Sequence, residues 1–575
     1  MVCNNPSISI SSIKFKGKEN EIHFNEDDIV LLVGANNVGK SRALKDLQED
    51  IIGEQESTLL IDKVEYSSRS FTGEQVLDYF DRNIGKNSYG SYFVPVKSGY
   101  YFSQSELENI TGNEKYFYKA FLTFLSTESR LDMTKPIRFG IEVNRGALNV
   151  VEKLEIHPEA KAAVNEALAE GFGKSIDLVT YFEDDYAISE YRIGSYEEIA
   201  EVLNSSKDQW RKKIDDMENL QSQGDGLRST VAILASLMVS EHSLFLIDEP
   251  EAFLHPPQAK MIGRNIVNAS KGKQCFIATH NIDFIKGVVE ADSSRVKIIK
   301  ISRSGNKSIF DLIENDIIST ISDDINLKYT SILDGLFYRT LALCENESDC
   351  RFYAAMLENT DLTTYQNVLF CAVGGKDQLK KIIPLLRRLH IHFIAIADID
   401  LINNRNNLKQ LLDSIGESKY REIEDEHQAF LHTFEKESSR QVRTQQEIKN
   451  AVNNIFNSEY YLSPEAVEKI KEVLRNASSL SLLKRGGKSI LPQGECVAQF
   501  EKINKCLNDN NIFIVECGEI ERFVPDVGGH GNKWLRNVFE KHPDIENDAA
   551  YDEAKAFVKN AFCSNRVAVA VNTVG

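Results

Sequence analysis

The 575-residue sequence predicts an α/β protein whose functional residues follow the ends of buried parallel strands. An apolar run at residues 29–33 leads into a glycine-bounded turn and then a helical pattern. A second apolar run, at residues 244–247, ends at two acidic residues. From residue 341 to residue 400 strand and helix patterns alternate and again end in acidic residues. Because ligands of parallel sheets bind at the carboxyl ends of the strands, we expect functional residues at these places.

The composition indicates an ordinary globular chain of about two to four domains. Hydrophobic residues make up 42% and charged residues 27% of the sequence, which is enough apolar material for a core in each domain. The sequence has no apolar run of about 18 residues and no basic-then-apolar start of the kind that marks a signal peptide. We therefore expect a cytoplasmic protein with no membrane partner.

The cysteine spacing and the net charge argue against further classes of protein. None of the nine cysteines forms a C-x-x-C pair, and several lie in apolar runs, so buried free thiols are favoured over disulfides or zinc ligands. A net charge of -19 argues against a protein that coats nucleic acid indiscriminately, although it leaves room for a local basic groove.

Residues 34–41 match the phosphate-binding pattern G-x-x-x-x-G-K-[ST]. Gly34 and Gly39 let the backbone approach a polyphosphate closely, and the loop N–H groups and helix N-terminus supply positive potential. We expect Lys40 to contact the β- and γ-phosphates and Ser41 to contact Mg²⁺; Asn37 belongs to the same nucleotide-binding set. A chance glycine turn before a helix is the alternative, but the preceding strand and following helix both favour the phosphate loop.

The patterns around this loop predict a head with an insertion. Residues 7–33 alternate as strands do, and a helix is expected over residues 41–50. From residue 53 to residue 220 the signals are mixed: an aromatic stretch at residues 89–102, a helix-like stretch near residues 113–126 and a charged helical pattern near residues 195–220. The aromatic stretch is either a base-stacking surface or core, and core is the more frequent role.

A second cluster of candidate residues begins at Ser222 and Gly224, just before an apolar helix over residues 231–239. The apolar run that follows delivers Asp248, expected in the Mg²⁺ shell, and Glu249, expected to orient or deprotonate the attacking water. A further strand pattern at residues 275–279 ends at His280, a candidate contact of the γ-phosphate. Any one of these is compatible with an ordinary strand end, but their order favours nucleotide hydrolysis.

These motifs together resemble an ABC-type P-loop ATPase head, of the SMC-like and OLD-type branch rather than the transporter branch. The resemblance covers the phosphate loop, Ser222–Gly226, residues 248–256 and residues 279–280, with an insertion between the first two. It implies ATP and Mg²⁺ as cofactors. It also implies a homodimer or higher oligomer, because in that family the Ser-x-Gly element closes on ATP held by the opposite protomer. The element departs from the usual Leu-Ser-Gly-Gly-Gln.

The second acidic cluster lies in the β-α-β-α-β pattern between residues 341 and 400. Glu345 follows the first strand, Asp349 caps the next helix, and Asp398 and Asp400 follow the third strand. Carboxylates gathered at one sheet edge repel one another unless divalent cations neutralise them, and oxygen ligands suit Mg²⁺ or Mn²⁺. Such a site activates water and stabilises a leaving phosphate oxygen. The alternative is a set of separate, solvated strand-end acids.

This segment resembles the Toprim domain through Glu345, Gly374-Gly375 and Asp398-Ile399-Asp400, although Asn346 stands where a glycine is usual. The pairing of an ABC head with a C-terminal Toprim domain resembles OLD-family nucleases, including those of Gabija and certain retron antiphage systems. That resemblance implies that Glu519 and Glu521 complete a two-metal site and that Lys533 is the cation near the scissile phosphate. Residues 484–488, Lys-Arg-Gly-Gly-Lys, are either a phosphate-backbone contact or a solvated loop.

The predicted organisation is a head over residues 1–330, with an insertion at about 55–220, and a Toprim domain over residues 335–575, with a helical insertion at about 403–510. The expected function is an ATP-regulated, metal-dependent DNA endonuclease of bacterial antiphage defence. A helicase, or a reverse transcriptase with its nucleic acid, is an open partner. The alternatives are an ATP-driven clamp or sensor that does not cut and a topoisomerase or primase use of Toprim; the cysteine spacing argues against a primase zinc module.

Overall fold

We describe the chain from a computed structural model. The described residues are 6–53, 58–69, 72–83, 90–94, 100–109, 114–140, 152–183, 186–194, 216–305, 307–314, 316–317, 320, 331–438, 445–456, 462–475 and 479–563. The predicted charged helix near residues 195–220 lies mostly outside them. The chain divides into two compact units, Met1–Ile325 and Asn326–Gly575.

The first unit contains the strands of the predicted head. In chain order they are β1 (Ser7–Phe15), β2 (Ile22–His23), β3 (Ile29–Val33), β4 (Ile61–Arg69), β5 (Tyr92–Val94), β6 (Tyr100–Phe102), β7 (Leu122–Leu125), β8 (Ile137–Gly140), β9 (Ser175–Glu183), β10 (Tyr186–Gly194), β11 (Glu218–Asn219), β12 (Leu244–Asp248), β13 (Gln274–Thr279), β14 (Val296–Ser304) and β15 (Lys307–Ile313).

A six-stranded sheet in the order β15-β14-β3-β13-β12-β7 carries the motifs of the head. All neighbours are parallel except the edge strand β15, which is antiparallel to β14. The strands are apolar because helices cover the sheet; β3, for example, is buried throughout. This order places the ends of β3, β12 and β13, with their phosphate loop, Asp248 and His280, side by side.

Within the described residues, the α-helices of this unit are Lys40–Ile52, Gly73–Asn83, Gln104–Glu108, Thr127–Met133, Pro158–Phe172, Asp225–Val239, Pro256–Ala269 and Ile282–Asp292. The aromatic residues Tyr92 and Phe102 are fully buried, as expected of core, although Tyr101 is 63% exposed. The helix predicted near residues 113–126 is wrong in its second part. Glu114–Phe121 is a 3-10 helix, and residues 122–125 form β7, because that short apolar segment extends the parallel sheet beside β12.

The second unit contains a four-stranded parallel sheet in the order β17-β16-β18-β19. Its strands are β16 (Thr340–Cys344), β17 (Val368–Ala372), β18 (Phe393–Asp398) and β19 (Ile512–Val515). The β-α-β-α-β pattern predicted for residues 341–400 is confirmed, and β16 lies between β17 and β18. Because all four strands run the same way, Glu345, Gly374, Asp398 and Glu516 follow their ends at one edge.

The helices of the second unit surround this sheet and form the insertion between β18 and β19. They are Glu347–Glu358, Leu362–Tyr365, Leu379–Arg388, Arg405–Ile415, Glu424–Ser438, Gln445–Asn453, Pro464–Arg475, Ser479–Gly486, Glu495–Asp509, Gly531–Lys541 and Asp552–Cys563. After the Gly374-Gly375 turn, residues 376–378 form a 3-10 turn, and the helix begins at Leu379. Among the described residues, no helix has the length and apolar character that crossing a membrane requires.

Candidate functional site

The phosphate loop has the backbone geometry that its glycines predict. Gly34 has φ +151° and a Cβ there would lie 2.2 Å from the Ile301 carbonyl oxygen, so no side chain fits. Gly39 has φ +113° and ends the loop at the start of the helix. Asn37 also adopts a positive φ, of 64°, within the loop. These conformations expose successive backbone N–H groups at a helix N-terminus, which is the arrangement that binds phosphate.

Lys40 and Ser41 extend from this loop toward different partners. The Lys40 ammonium donates hydrogen bonds to the carbonyl oxygens of Gly34 and Ala35, both at 2.9 Å. Ser41 Oγ donates to Asp248 Oδ1 at 2.8 Å, which joins the ends of β3 and β12. Burial lowers the pKa of Lys40 and raises the pKa of Asp248. The hydroxyl and carboxylate that were predicted to share a Mg²⁺ ion are therefore in contact.

Glu249 and His280 meet at the neighbouring strand ends. His280 Nδ1 lies 3.2 Å from Glu249 Oε1 and 3.6 Å from Glu251 Oε1. Glu249 has a positive φ of 46°, and its backbone N–H donates to the Ala278 carbonyl oxygen. Glu251 is buried and accepts hydrogen bonds from Thr279 Oγ1 and the His280 N–H. Glu251 thus fixes the turn that presents His280, a role that the sequence did not single out.

Arg130 is a buried cation that the sequence analysis missed. Its guanidinium donates to the carbonyl oxygens of Leu125, Asp248 and Glu249 and to Ser229 Oγ. Burial lowers its pKa to about 10, so the group remains charged at neutral pH. Arg130 ties β7 to the end of β12 and supports the backbone that carries Asp248 and Glu249. The helix expected near residue 113–126 concealed this strand end.

Ser222 and Gly224 lie at exposed positions before the helix Asp225–Val239. Ser222 Oγ donates to the Asn219 carbonyl oxygen, and nothing lies within 4 Å of a Cβ built on Gly224. The next glycine is different: a Cβ on Gly226 would lie 2.7 Å from the Phe253 carbonyl oxygen, so the element packs against the turn after β12. Ser222 and Gly224 are therefore exposed to solvent, whereas Gly226 is buried.

The structure brings three of the predicted carboxylates together in the second unit. Glu345, Asp398 and Asp400 each offer an oxygen within 4.8 Å of the others. The Asp398 N–H approaches Glu345 Oε1 at 3.4 Å, and the N–H groups of Gly374 and Gly375 both donate to the Glu345 carbonyl oxygen at 3.1 Å. The Gly-Gly turn therefore holds the backbone of Glu345 beside the end of β18.

Burial and mutual repulsion raise the pKa values of these acids. Burial, together with Asp398 and Asp400, raises the pKa of Glu345 to about 7, and burial also raises the pKa of Asp398. Asp349, which closes the capping box with Asn346, has a pKa raised to about 6 by burial and by Asp398. Repulsion of this kind is relieved by a divalent cation.

Two further acids flank this group. Burial and Glu521 raise the pKa of Glu519, with a smaller contribution from Asp398. Glu521 is buried and accepts a hydrogen bond from the Gly531 N–H at 3.0 Å, while His530 Nδ1 lies 2.5 Å from Glu521 Oε1. Glu519 and Glu521 follow β19, on the side of β18 opposite β16. They lie beside Glu345, Asp398 and Asp400 and are not among the three carboxylates whose oxygens converge.

The lysines at this site are not the one that the sequence singled out. Lys376 Nζ lies 2.7 Å from Asp400 Oδ2, and Lys484 Nζ lies 2.8 Å from Asp398 Oδ2. Burial alone would lower the pKa of Lys484, but Asp398 raises it above the usual value. Lys533 is exposed on the helix Gly531–Lys541, and no described contact joins it to the carboxylates. Its role near a scissile phosphate stays a prediction.

The residues of both sites fit the groups that their motifs imply. Asp400 Oδ1 is buried yet has no hydrogen-bond partner among the described residues, as expected of an oxygen that awaits a cation. Carboxylate-only ligation suits Mg²⁺ or Mn²⁺. In the first unit, the loop N–H groups and Lys40 suit the phosphates of a nucleoside triphosphate, and the oxygens of the Ser41–Asp248 pair suit its magnesium.

Comparison with known domain families agrees with this geometry. Residues 29–285 match AAA_21, an AAA domain family that its description links to the AbiEii toxin of type IV TA systems. Residues 336–400 match the TOPRIM domain of proteins like the overcoming lysogenization defect (OLD) protein. The two matches together agree with the resemblance to OLD-family nucleases. The fold of the chain is accordingly α/β, with an ABC-type P-loop ATPase head followed by a Toprim domain.

Individual relatives of this chain are distant. It is 24% identical over 168 residues to the Old nuclease of Escherichia phage P2, and this match covers 28% of each protein. Among solved structures, an SmcHead bound to the C-winged helix domain of ScpA is 14% identical, with a TM-score of 0.32, and covers 53% of this chain and 98% of its own. The SMC head domain from Thermotoga maritima is 12% identical, with a TM-score of 0.28, and covers 54% and 99% respectively.

Proposed function

We propose that this protein is an ATP-regulated, divalent-metal-dependent DNA endonuclease. The observation that carries the proposal is the convergence of Glu345, Asp398 and Asp400 at the carboxyl edge of a Toprim sheet. The relative named Old nuclease supports phosphodiester cleavage as the reaction. DNA as the substrate and Mg²⁺ or Mn²⁺ as the ion are parts of the same proposal.

In the second unit, the role that we propose for each residue follows from its position in the site. A divalent ion bound there would act as a Lewis acid that activates water and stabilises the charge on the leaving oxygen. Glu345, Asp398 and Asp400 bind and orient such an ion, and Asp349, Glu519 and Glu521 add negative charge around it. Lys376 and Lys484 keep the cluster of carboxylates together through ion pairs.

In the first unit the residues bind and hydrolyse ATP. The loop N–H groups and Lys40 hold the phosphates, while Ser41 and Asp248 orient the magnesium that accompanies them. Glu249 accepts the proton of the attacking water, and His280, held beside Glu249, contacts the γ-phosphate. The exposed Ser222 and Gly224 are free to meet ATP in a second copy of the chain, so we propose a homodimer or larger oligomer.

The biological setting that we propose is bacterial defence against phage, which rests on the resemblance to Gabija and retron-associated effectors. A partner such as a helicase, or a reverse transcriptase with its nucleic acid, would supply the trigger. The test of this setting is plaque formation on cells that express the wild type or Asp398→Ala/Asp400→Ala. If the double variant still protects the cells, protection against phage does not depend on the proposed cutting reaction.

The cutting reaction is tested with supercoiled plasmid. Wild-type protein is incubated with plasmid and Mg²⁺ or Mn²⁺, with and without ATP, beside Asp398→Ala/Asp400→Ala. We expect nicked or linear plasmid only with the wild type and only with metal. A matched control is Glu540→Ala, which removes an exposed carboxylate that pairs with Arg536 and should cut normally. Equal nicking by the double variant would defeat the assignment.

A further inference from the structure

Two lysines contact carboxylate oxygens of the cluster in which a metal would bind. Lys376 Nζ contacts Asp400 Oδ2 at 2.7 Å, and Lys484 Nζ contacts Asp398 Oδ2 at 2.8 Å and Asp400 Oδ2 at 3.9 Å. Lys376 follows the Gly374-Gly375 turn, whereas Lys484 belongs to the helix Ser479–Gly486 of the insertion. Two different elements therefore each deliver one ammonium group to the same pair of acids.

The position of Lys484 is built into the fold. A Cβ on Gly518 would lie 2.2 Å from the Lys484 carbonyl oxygen, and a Cβ on Gly487 would lie 2.3 Å from the Glu516 carbonyl oxygen. Lys488 adds a hydrogen bond from its N–H to the Glu516 carbonyl oxygen at 2.7 Å and an ion pair with the Glu516 carboxylate at 3.0 Å. The backbone that bears Lys484 is thus locked against the turn after β19.

Charge balance shows what these lysines do. When Glu345, Asp398 and Asp400 are ionised, the two ammonium groups offset part of their repulsion. A divalent ion binds carboxylate oxygens at about 2.1 Å and cannot share the same face of Asp398 Oδ2 or Asp400 Oδ2 with an ammonium group in contact. The positive charges would also repel one another at that distance. Metal bound through these Oδ2 atoms therefore displaces the lysines, and metal bound through Asp400 Oδ1, which has no partner within the described part of the chain, is weakened by their charge.

We propose that Lys376 and Lys484 are resident counter-cations that compete with divalent metal for Asp398 and Asp400, and that the insertion sets the metal affinity of the Toprim site through Lys484. The inference rests on the proposed function, because it concerns the same carboxylates.

Mn²⁺ binding to the full-length protein without nucleotide tests the proposal, with free Mn²⁺ measured by electron paramagnetic resonance. We expect Lys484→Met and Lys376→Met each to bind Mn²⁺ about three- to tenfold more tightly than the wild type, because a partly exposed ion pair no longer competes. Lys484→Arg keeps the charge and should restore an affinity near that of the wild type. Lys502→Met, which removes a lysine paired with Glu426 on the surface, should change nothing.

Unchanged or weaker Mn²⁺ binding by both methionine variants would overturn the proposal. If one of them does not fold, as judged by circular dichroism, the other tests the same competition from a different element of the fold. Asp398→Asn/Asp400→Asn separates this failure from failure of the proposed function. Loss of Mn²⁺ binding in that variant with no gain in the lysine variants rejects only the counter-cation role, whereas wild-type Mn²⁺ binding in it rejects the metal site itself.

Discussion

Ser41 Oγ donates a hydrogen bond of 2.8 Å to Asp248 Oδ1, although the two residues lie far apart in the chain. The contact joins the helix after β3 to the end of β12, the strands on either side of β13. In a bound nucleotide complex the same two oxygens are those expected to face magnesium. The contact therefore places the two groups expected to bind magnesium side by side, and the residues of the head can be tested one at a time.

Lys40→Ala should weaken ATP binding about ten- to hundredfold, because a charge-assisted hydrogen bond contributes about 1.5–3 kcal/mol. The variant should remain folded, since the ammonium group contacts only two loop carbonyls. Titration with a fluorescent ATP analogue measures the affinity. Lys260→Ala, which removes a surface lysine paired with Glu290, is the control. Unchanged nucleotide affinity in Lys40→Ala would remove the head from the mechanism.

Arg130→Met should destabilise the first unit and weaken its nucleotide binding. Methionine fills similar space but leaves the buried carbonyl oxygens of Leu125, Asp248 and Glu249 without their donor, at a cost of about 1–3 kcal/mol or more. Denaturant unfolding monitors the change in stability. Arg69→Met, which removes an exposed arginine paired with Glu26, provides a control of the same substitution. An unfolding midpoint equal to the wild type would show that Arg130 does not support this strand end.

Gly518→Ala should destabilise the second unit more than Gly494→Ala does. Both glycines have a positive φ, of 119° and 96°, so both substitutions carry the same kind of backbone strain. Only Gly518 faces a neighbour, the Lys484 carbonyl oxygen at 2.2 Å, while nothing lies within 4 Å of Gly494. The excess should be about 1–3 kcal/mol in the free energy of unfolding. Equal losses of stability in the two variants would mean that the close packing of Gly518 against the Lys484 backbone contributes nothing to the free energy of unfolding.

Much of this architecture is predictable from the sequence, because strand ends of a parallel sheet meet at one edge. That rule correctly places Ser41 beside Asp248 and Glu345 beside Asp398 and Asp400. The phosphate loop is equally legible, since its glycines are required by backbone geometry. The strand at residues 122–125 was missed because a four-residue apolar segment after a 3-10 helix has no periodicity of its own.

The cations around both sites were the harder part. Arg130 is held by backbone carbonyls of distant strand ends, and no local pattern announces such a contact. Lys484 reaches Asp398 only because Gly487 and Gly518 lock the insertion against the turn after β19. Within the sequence, the segment at residues 484–488 has the same composition as a solvated basic loop. Long-range backbone packing, rather than residue type, decides which lysine lies at the acids.

Metal binding by the second unit should strengthen as pH rises from about 5 to about 8. The pKa of Glu345 is about 7 and that of Asp349 about 6, against ordinary values of 4.5 and 3.8, so both carry protons that a divalent ion must displace. Titrations with Mn²⁺ across this range measure the trend. An affinity that stays constant between about pH 5 and about pH 8 would contradict the raised pKa values.

The same pKa values predict the opposite trend for stability without metal. Below the ordinary values both states of the chain bind these protons. Only the native state retains the Glu345 proton between pH 4.5 and about 7, and the Asp349 proton between pH 3.8 and about 6. Stability of the metal-free unit should therefore fall as pH rises through this window, and added Mn²⁺ should recover it best at the upper end. Thermal unfolding with and without a chelator measures both effects; a rise in metal-free stability over the window would be the contrary result.

The most direct measurement is X-ray diffraction from crystals that contain Mn²⁺, recorded near the manganese absorption edge. The account predicts an anomalous peak in contact with the carboxylates of Glu345, Asp398 and Asp400, and the loss of that peak in Asp398→Asn/Asp400→Asn. An ordered Toprim unit with its three carboxylates converged, saturating Mn²⁺ in the crystal and no peak between them would contradict the central claim.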